Sequence, residues 1–583
     1  MLNSMSIRIG GEAGQGMEST AAGFAKALSR GGLYVHLLQD FMSRIRGGHN
    51  FSQIRASASP IYGHSKHIHL LLAFNEETIQ MHKNDLVAGG AIIYDSAFSV
   101  NAGELRGMGL KPIALPLLQL ARDLGGDKVM QNTAAVGATA GITGFPYDRI
   151  ADVIAQNFRR KGDAVVNGNL KVAQAAYDLA VKDFAAGFAW KLSPVAGGPR
   201  MMMNGNHAFA LGAMAGGCKF ISAYPMTPGT TIIEYMTAKA NRFGVLTKQV
   251  EDEIAAILMA IGAANAGVRA MTATSGGGFS LMVEALGMAA ITETPLVVVI
   301  AQRTGPSTGM PTRTEQSDLQ FALHASQGEF PRIVLAPGSI EQCFEAGWRA
   351  FNLAEKYQTP VIILTDLAQA FNQRTVEASA IDLAQVHIDR GALVSPEEAA
   401  EMTDYKRFAI TESGISQRLI PGTSKLPVFN TSDEHSERSY IIEGAEDRVR
   451  MMDKRMRKLD LAVQEMRDPL QHGPANADLT LIGWGSTYGA LCEATDVLNA
   501  EGVSANLLHF SDIYPFPAER VTAMLEKSRR LVDVEGNFTG QFASFLREQT
   551  GRKVDHKILR YDGRALSADD IVERVKSEVL VHV

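Results

Sequence analysis

The chain has 583 residues, enough for about three or four domains. It is 46% hydrophobic and 20% charged, the make-up of a globular protein, and its net charge of -6 speaks against a nucleic-acid partner. No apolar run approaches the roughly 18 residues of a membrane span, and Met1 to Ser6 lack a signal-peptide pattern, so the expectation is a cytoplasmic protein with no membrane partner.

In chain order, Ile7-Arg8-Ile9 reads as a strand leading into Gly10-Gly11-Glu12-Ala13-Gly14-Gln15-Gly16, and Met17 to Arg30 as a helix. Strand, glycine turn and helix together form a phosphate cradle or simply a tight turn. The dinucleotide fingerprint fails, because Ser19 stands where its third glycine belongs, and no Walker lysine follows. Arg44 and Arg46 flank Ile45 just ahead of Gly47-Gly48. Two arginines beside a flexible pair suit a phosphate or carboxylate, or form a solvated loop. Strands at Ile68–Ala73, Ala91–Tyr94 and Ile113–Leu115 continue an α/β pattern to a first domain boundary at residue 189. Residues 190–203, with Pro194, Gly197, Gly198 and Pro199, read as a linker.

The domain expected at 204–385 has near-continuous apolar strands, Leu296–Ile300, Ile333–Leu335 and Val361–Thr365, separated by helical stretches. That pattern predicts a parallel sheet buried on both faces. Within it, Ala223-Tyr224-Pro225-Met226-Thr227-Pro228-Gly229-Thr230 forms a stiff loop between two helices. Its prolines forbid helix, and Pro228-Gly229 turns the chain. Three further features accompany the loop: an acidic helix start at Glu251-Asp252-Glu253, a Thr274-Ser275-Gly276-Gly277-Gly278 turn, and the run RTGPSTGMPTRTEQSDL from Arg303 to Leu319. Residues 386–470 read as a connecting arm ending in a charged helix at Ala445–Met466. His435 lies near Glu434 and Glu437, but no second histidine stands at ligand spacing, so no metal site is expected. Residues 471–583 carry strands at Leu479–Gly483, Ala505–Phe510 and Leu531–Glu535. Cys218, Cys343 and Cys492 are far apart and form no C-x-x-C pair, so each reads as a buried apolar filler.

The loop, the acidic helix start, the glycine turn and the long run together resemble the α subunit of the 2-oxoacid:ferredoxin oxidoreductases. The RTGPSTGMPTRTEQSDL run most resembles the 2-oxoglutarate type. Residues 1–189 resemble the family's γ domain, which carries G-x-G-Q-G and R-x-R-G-G and is associated with coenzyme A; here the first reads Gly11-x-x-Gly14-Gln15-Gly16 and the second Arg44-x-Arg46-Gly47-Gly48. Residues 204–385 resemble its pyrimidine-type thiamine-diphosphate domain, and 471–583 a transketolase C-terminal domain. The implied fold is multi-domain α/β.

The resemblance implies a constellation. A thiamine enzyme needs a carboxylate on the cofactor's pyrimidine ring, and a helix-start glutamate supplies it. Glu253 matches that position best, with Glu251 the alternative. Tyr224, Pro225 and Met226 accompany the same cofactor. A 2-oxoacid carboxylate calls for a planar bidentate partner. Arg303 matches it at a strand end, Thr227 and Thr312 supply hydroxyls, and Arg313 is a second cation. Arg44, Arg46, Gly47 and Gly48 match the coenzyme A segment.

No Gly-Asp-Gly diphosphate motif and no cluster cysteines occur. The resemblance therefore implies half an active site, completed by a β subunit with Mg²⁺, the cofactor diphosphate and a [4Fe–4S] cluster, in an α2β2 heterotetramer that exchanges electrons with ferredoxin. Pyruvate or a branched 2-oxoacid is the alternative substrate. A transketolase-like transferase without redox chemistry and a nucleotide-binding regulatory chain are the more distant alternatives.

Overall fold

The computed structural model describes residues 2–44 and 47–581. The chain divides into two compact units. The first runs to Met203 and adds Asn372–Ala380 and Ser567–Asp570. Its eight-stranded mixed sheet is ordered Lys111–Leu115, Leu86–Asp95, Ile68–Ala73, Ser4–Glu12, His49–Ser57, Tyr34–Asp40, Gln373–Glu377, Arg200–Met203. The helix Met17–Arg30 forms because Met17, Ala21, Phe24, Ala25 and Leu28 recur at helical spacing. That stripe enters the same core as Ile7, Ile9, Leu70 and Leu72.

This unit differs from the expected domain limits. Residues 190–203 are not a free linker: Trp190 is buried and Arg200–Met203 is a strand pairing with Gln373–Glu377. Gln373–Glu377, expected inside the central domain, belongs to this sheet, where Val35 N–H donates to Thr375 Oγ1 across 340 residues of sequence. A five-residue strand whose partners are that distant has no local signature.

The second unit contains two sheets. The seven-stranded sheet is ordered Asp512–Tyr514, Ile333–Leu335, Pro360–Asp366, Leu296–Gln302, Ala270–Thr274, Phe220–Ala223, Leu246–Gln249. Its six central-domain strands are parallel, and the edge strand Asp512–Tyr514 joins antiparallel from the last part of the chain. Val297 to Ile300 and Val361 to Ile363 are fully buried, which is why these strands read as unbroken apolar runs. The second sheet, ordered Leu470–His472, Ala505–Phe510, Leu479–Trp484, Arg530–Glu535, His556–Leu559, is parallel except for its first strand.

The arm lies on the central domain. Glu355, buried, takes Arg269 Nε at 2.7 Å, Arg390 Nε at 2.7 Å and Arg418 Nη2 at 2.6 Å. From the helix Ala445–Glu465, Lys454 and Lys458 both reach Glu293, and all three are buried. The three cysteines are free and buried, and burial pushes the Cys218 thiol up to about 12. Among the described residues no helix is long and apolar enough to cross a membrane, and no group of three or more His, Cys, Asp or Glu side chains is placed to hold a metal ion.

Candidate active site

Ligand sites in parallel α/β sheets lie at the carboxyl ends of the strands, and four adjacent strand ends here carry the sequence features singled out above. Phe220–Ala223 runs into the Tyr224–Gly229 loop, Leu246–Gln249 leads to the helix Glu253–Asn265, Ala270–Thr274 to the helix Gly276–Ile291, and Leu296–Gln302 to Arg303.

The loop is held from beneath. Asn206, fully buried, donates to Pro228 O at 3.3 Å and to Thr231 Oγ1 at 2.9 Å. Gly229 lies against the Thr274 backbone, where a Cβ would come within 2.9 Å of Thr274 O. Tyr224 and Pro225 are exposed, Met226 and Thr227 half-buried. Arg303 crosses to the loop and donates from Nη1 to Thr227 O at 2.9 Å. Thr227 and Arg303 are thus brought together, through the Thr227 carbonyl.

The acidic triplet resolves into three roles. Glu251 is exposed. Asp252 is the N-cap, its side chain accepting from Ala255 N–H at 2.7 Å. Glu253 opens the helix, is 3% exposed, and its Oε1 has no hydrogen-bond partner. The residues expected as a turn at 276–278 are instead the first turn of a helix, with Ser275 as N-cap. Their lack of side chains serves close approach. A Cβ on Gly278 would lie 2.6 Å from Glu253 Oε1, and one on Gly276 would lie 2.5 Å from Asp318 Oδ2.

Three buried polar atoms around this helix start lack hydrogen-bond partners: Glu253 Oε1, Ser275 Oγ and Asp318 Oδ2. Native interiors pair nearly all such atoms, so a cluster of them at the strand ends fits a polar ligand. Asp318 was not singled out from the sequence, where it reads as one more polar residue in the long run. Its backbone N–H is fixed by Gln302 Oε1 at 3.0 Å. Burial, and then the Glu315 charge, push its carboxyl up to about 6 against the pull of Arg303. Burial lowers the Arg303 guanidinium in turn, with Asp318 opposing.

The rest of the run closes on itself. Thr304 N–H donates to Arg313 O and Met310 N–H to Thr304 O, both at 3.0 Å, so residues 304–313 form a loop with an exposed tip. Thr312 is half-buried at its foot, its carbonyl taking Arg313 Nη1 at 2.9 Å. Arg313 packs against Gly563, where a Cβ would come within 2.8 Å of its own Cβ. Further on, Gln316 spans to the second sheet: it donates to Trp484 O at 2.8 Å, and its Oε1 accepts from Gly536 N–H at 2.9 Å.

In the first unit, Gly16 caps the helix Met17–Arg30 in a left-handed conformation, and Asn132 donates to Gln15 O at 2.8 Å. This turn borders an open cavity of about 840 Å³, with Lys128, Asn132 and Lys161 among its lining residues. Ala13 N–H donates to Gly48 O at 3.4 Å, tying the turn to the Gly47-Gly48 segment. Arg44 is exposed and does not line the cavity, and Arg46 lies outside the described residues.

Comparisons with known proteins converge. Residues 211–454 match the pyruvate flavodoxin/ferredoxin oxidoreductase thiamine-diphosphate-binding family, residues 6–179 the pyruvate ferredoxin/flavodoxin oxidoreductase family, and residues 471–573 the transketolase C-terminal domain. The chain is 32% identical to the α subunit of a 2-oxoacid:ferredoxin oxidoreductase from Saccharolobus solfataricus, covering 99% of this chain and 98% of that one. It is 36% identical to the 2-oxoglutarate synthase subunit KorA of Methanothermobacter thermautotrophicus, over 64% of this chain and 97% of that one. Among solved structures, a 2-oxoglutarate:ferredoxin oxidoreductase from Magnetococcus marinus, with 2-oxoglutarate, coenzyme A and succinyl-CoA bound, superposes with a TM-score of 0.93 at 33% identity, covering 99% of both chains.

Proposed function

Because this chain belongs to the 2-oxoacid:ferredoxin oxidoreductases, as an α subunit, we propose that it interconverts 2-oxoglutarate and coenzyme A with succinyl-CoA and CO2, exchanging electrons with ferredoxin. The observation that carries the cofactor half of this reading is the buried, unpartnered Glu253 Oε1 beside Gly278. The substrate half is supported by the RTGPSTGMPTRTEQSDL run and by relatives named for 2-oxoglutarate.

Each residue then has a task. Glu253 accepts a hydrogen bond from the pyrimidine ring of thiamine diphosphate, and its burial keeps water from competing. Tyr224, Pro225 and Met226 form the loop wall against that ring. Arg303 holds the substrate carboxylate, and Thr227 and Thr312 orient the oxo group and the carboxylate. When bound, thiamine diphosphate supplies the carbon nucleophile for the 2-oxo carbon and the electron sink for loss of CO2. Arg44, Arg46, Gly47 and Gly48 contribute to the coenzyme A site.

The β subunit supplies Mg²⁺, the diphosphate anchor and a [4Fe–4S] cluster, in an α2β2 assembly. The helices flanking the site support a partner surface: Ile254, Leu258 and Leu281 are 47%, 40% and 52% exposed on helices that are apolar nearly all round.

The test is turnover of the α chain reconstituted with its β subunit, with ferredoxin as acceptor, on 2-oxoglutarate, pyruvate and a branched 2-oxoacid. Preference for 2-oxoglutarate is expected. Preference for pyruvate overturns the substrate, and product formation without an electron acceptor returns a transketolase-like transferase. Calorimetry should show poor thiamine-diphosphate binding to the α chain alone. Tight Mg²⁺-dependent binding there would overturn the shared site.

A further inference from the structure

Parallel sheets take ligands at the carboxyl ends of their strands, and in the sheet of the C-terminal domain that end is filled by this chain's own residues. The end of Leu479–Trp484, the loop after Arg530–Glu535 and the loop after His556–Leu559 all bond the segment 314–317, the last part of the run that carries Thr312. Gln316 is the centre of this contact. It is buried, and its backbone and both ends of its amide are bonded. Its N–H donates to Gly536 O at 2.7 Å, and its carbonyl accepts from Asn537 Nδ2 at 3.0 Å. Its Nε2 donates to Trp484 O at 2.8 Å, and its Oε1 accepts from Gly536 N–H at 2.9 Å. On either side, Thr314 N–H donates to Gly563 O at 3.3 Å and Gln541 Nε2 donates to Ser317 O at 2.8 Å. The partners are fixed in turn. Glu535, fully buried, accepts from Trp484 Nε1 at 3.0 Å, from Asn537 Nδ2 at 2.7 Å and from Phe542 N–H at 2.9 Å. One carboxylate, at the start of the helix Gln541–Thr550 where negative charge is favoured, thus holds both residues that clasp Gln316 from its two sides.

We propose that Gln316 is a positioning residue for the 2-oxoacid: the carboxyl end of the C-terminal sheet clasps the run at Gln316 and thereby sets where Thr312 stands. The inference rests on the reading that Thr312 contacts the substrate. The loop 304–313 closes on its own hydrogen bonds and has an exposed tip. Its place over the site is therefore set by what holds its two limbs. Upstream that is the buried strand Leu296–Gln302, and downstream it is the clasp on Gln316. A loop fixed by satisfied, buried hydrogen bonds to rigid elements is located closely, and a displacement of about 1 Å costs roughly a hundredfold in rate. The C-terminal sheet in this way acts on the substrate without touching it.

The experiment uses the α chain assembled with its β subunit and compares wild type, Gln316→Met, Gln541→Ala, Thr312→Val and the double variant Gln316→Met with Thr312→Val. Gln316→Met keeps the length of the side chain and removes both amide bonds. It should lower kcat/KM for 2-oxoglutarate roughly ten- to hundredfold and leave the KM for coenzyme A unchanged, a split that general destabilisation does not produce. Gln541→Ala, which frees Ser317 and spares Gln316, should act in the same direction and less strongly. On the Thr312→Val background, Gln316→Met should cost much less than it does in wild type, because both changes remove the same substrate contact. Hydrogen exchange, which needs no turnover, should quicken at residues 304–317 in Gln316→Met and in Gln541→Ala and stay unchanged in the strand Leu296–Gln302. If Gln316→Met does not fold, Gln541→Ala decides by its kcat/KM and its exchange pattern. Unchanged kcat/KM in the folded variants, effects of Gln316→Met and Thr312→Val that simply add, or a raised KM for coenzyme A overturns the proposal. If Thr312→Val leaves kcat/KM unchanged, the reading of Thr312 fails and the proposal with it. If Thr312→Val lowers kcat/KM while Gln316→Met and Gln541→Ala do not, only the role of Gln316 fails.

Discussion

Glu253 and Gly278 face each other so closely that a single methyl group on Gly278 would sit 2.6 Å from Glu253 Oε1 and 2.8 Å from its Cγ. The glutamate is the first residue of one helix, the glycine lies in the first turn of the next, and each constrains what the other position tolerates.

The first prediction follows from that contact. Glu253→Gln should lower kcat by roughly a hundredfold to ten-thousandfold, the usual contribution of an acid–base group, while the melting temperature holds. Gly278→Ala should impair turnover by displacing Glu253, and should also lower the melting temperature, because Thr274 and Glu253 crowd the new methyl. Glu251→Gln, at an exposed position, should leave both unchanged. Steady-state kinetics beside thermal melts check all three, and loss of activity in Glu251→Gln with retention in Glu253→Gln would reverse the assignment.

Arg303→Lys should cost about 2–5 kcal/mol of transition-state binding, as for a buried charge pair that loses its partner's geometry. That is roughly 30-fold to several-thousand-fold in kcat/KM. An ammonium cannot make the planar two-point contact, and the Thr227 carbonyl would lose its guanidinium donor. The loss should appear with every 2-oxoacid, since all share the 1-carboxylate. Arg313→Ala, tested beside it on pyruvate and 2-oxoglutarate, identifies a residue that reads the distal carboxylate if only the dicarboxylate suffers.

The Glu293 clamp predicts a pH signature in stability. Glu293 is buried with Lys454 and Lys458, whose charges hold its carboxyl well below the usual range despite burial. Its stabilisation is present above the ordinary carboxylate range and is lost only as pH falls through that lowered value. Lys458 runs the other way: burial lowers it to about 7 against the pull of Glu293. Between that value and the ordinary lysine range the unfolded chain binds more protons, so stability rises with pH there. Melting temperatures from about pH 7 to 9 should therefore rise in wild type and lose that component in Lys458→Met. Glu293→Gln should destabilise by about 3–5 kcal/mol, since Lys454 and Lys458 lose their buried counter-charge and must either stay charged unpaired or give up a proton.

Arg44→Ala combined with Arg46→Ala should raise the KM for coenzyme A, most clearly at low ionic strength, and spare the KM for the 2-oxoacid. An unchanged coenzyme A KM would remove this segment from the site and favour the cavity beside Gly16, which Lys128 and Lys161 help to line.

Much of the architecture was legible because it is locally encoded. The helix Met17–Arg30 and the strands Ile68–Ala73, Ile333–Leu335 and Ala505–Phe510 stand where their periodicity or their unbroken apolar runs put them. The proline-bound loop at 224–229 follows from backbone sterics alone. What tertiary structure alone decided are relations between distant segments. Gln373–Glu377 joins the first unit's sheet because Thr375 and Val376 bury against strands far away in sequence. Glu253, rather than Glu251, faces inward because Glu253 is the first helical residue and turns into the core, whereas Glu251 precedes the N-cap and stays in solvent. Gly276 and Gly278 read as a turn, yet the space they leave is filled by carboxylates from two other segments, Asp318 and Glu253. Asp318 has no motif of its own, and its place is set by Gln302 and Gly276, segments that meet it only in the folded chain. Propensity and periodicity act over a few residues and can be read along the chain, whereas burial and electrostatics depend on which segments meet in space.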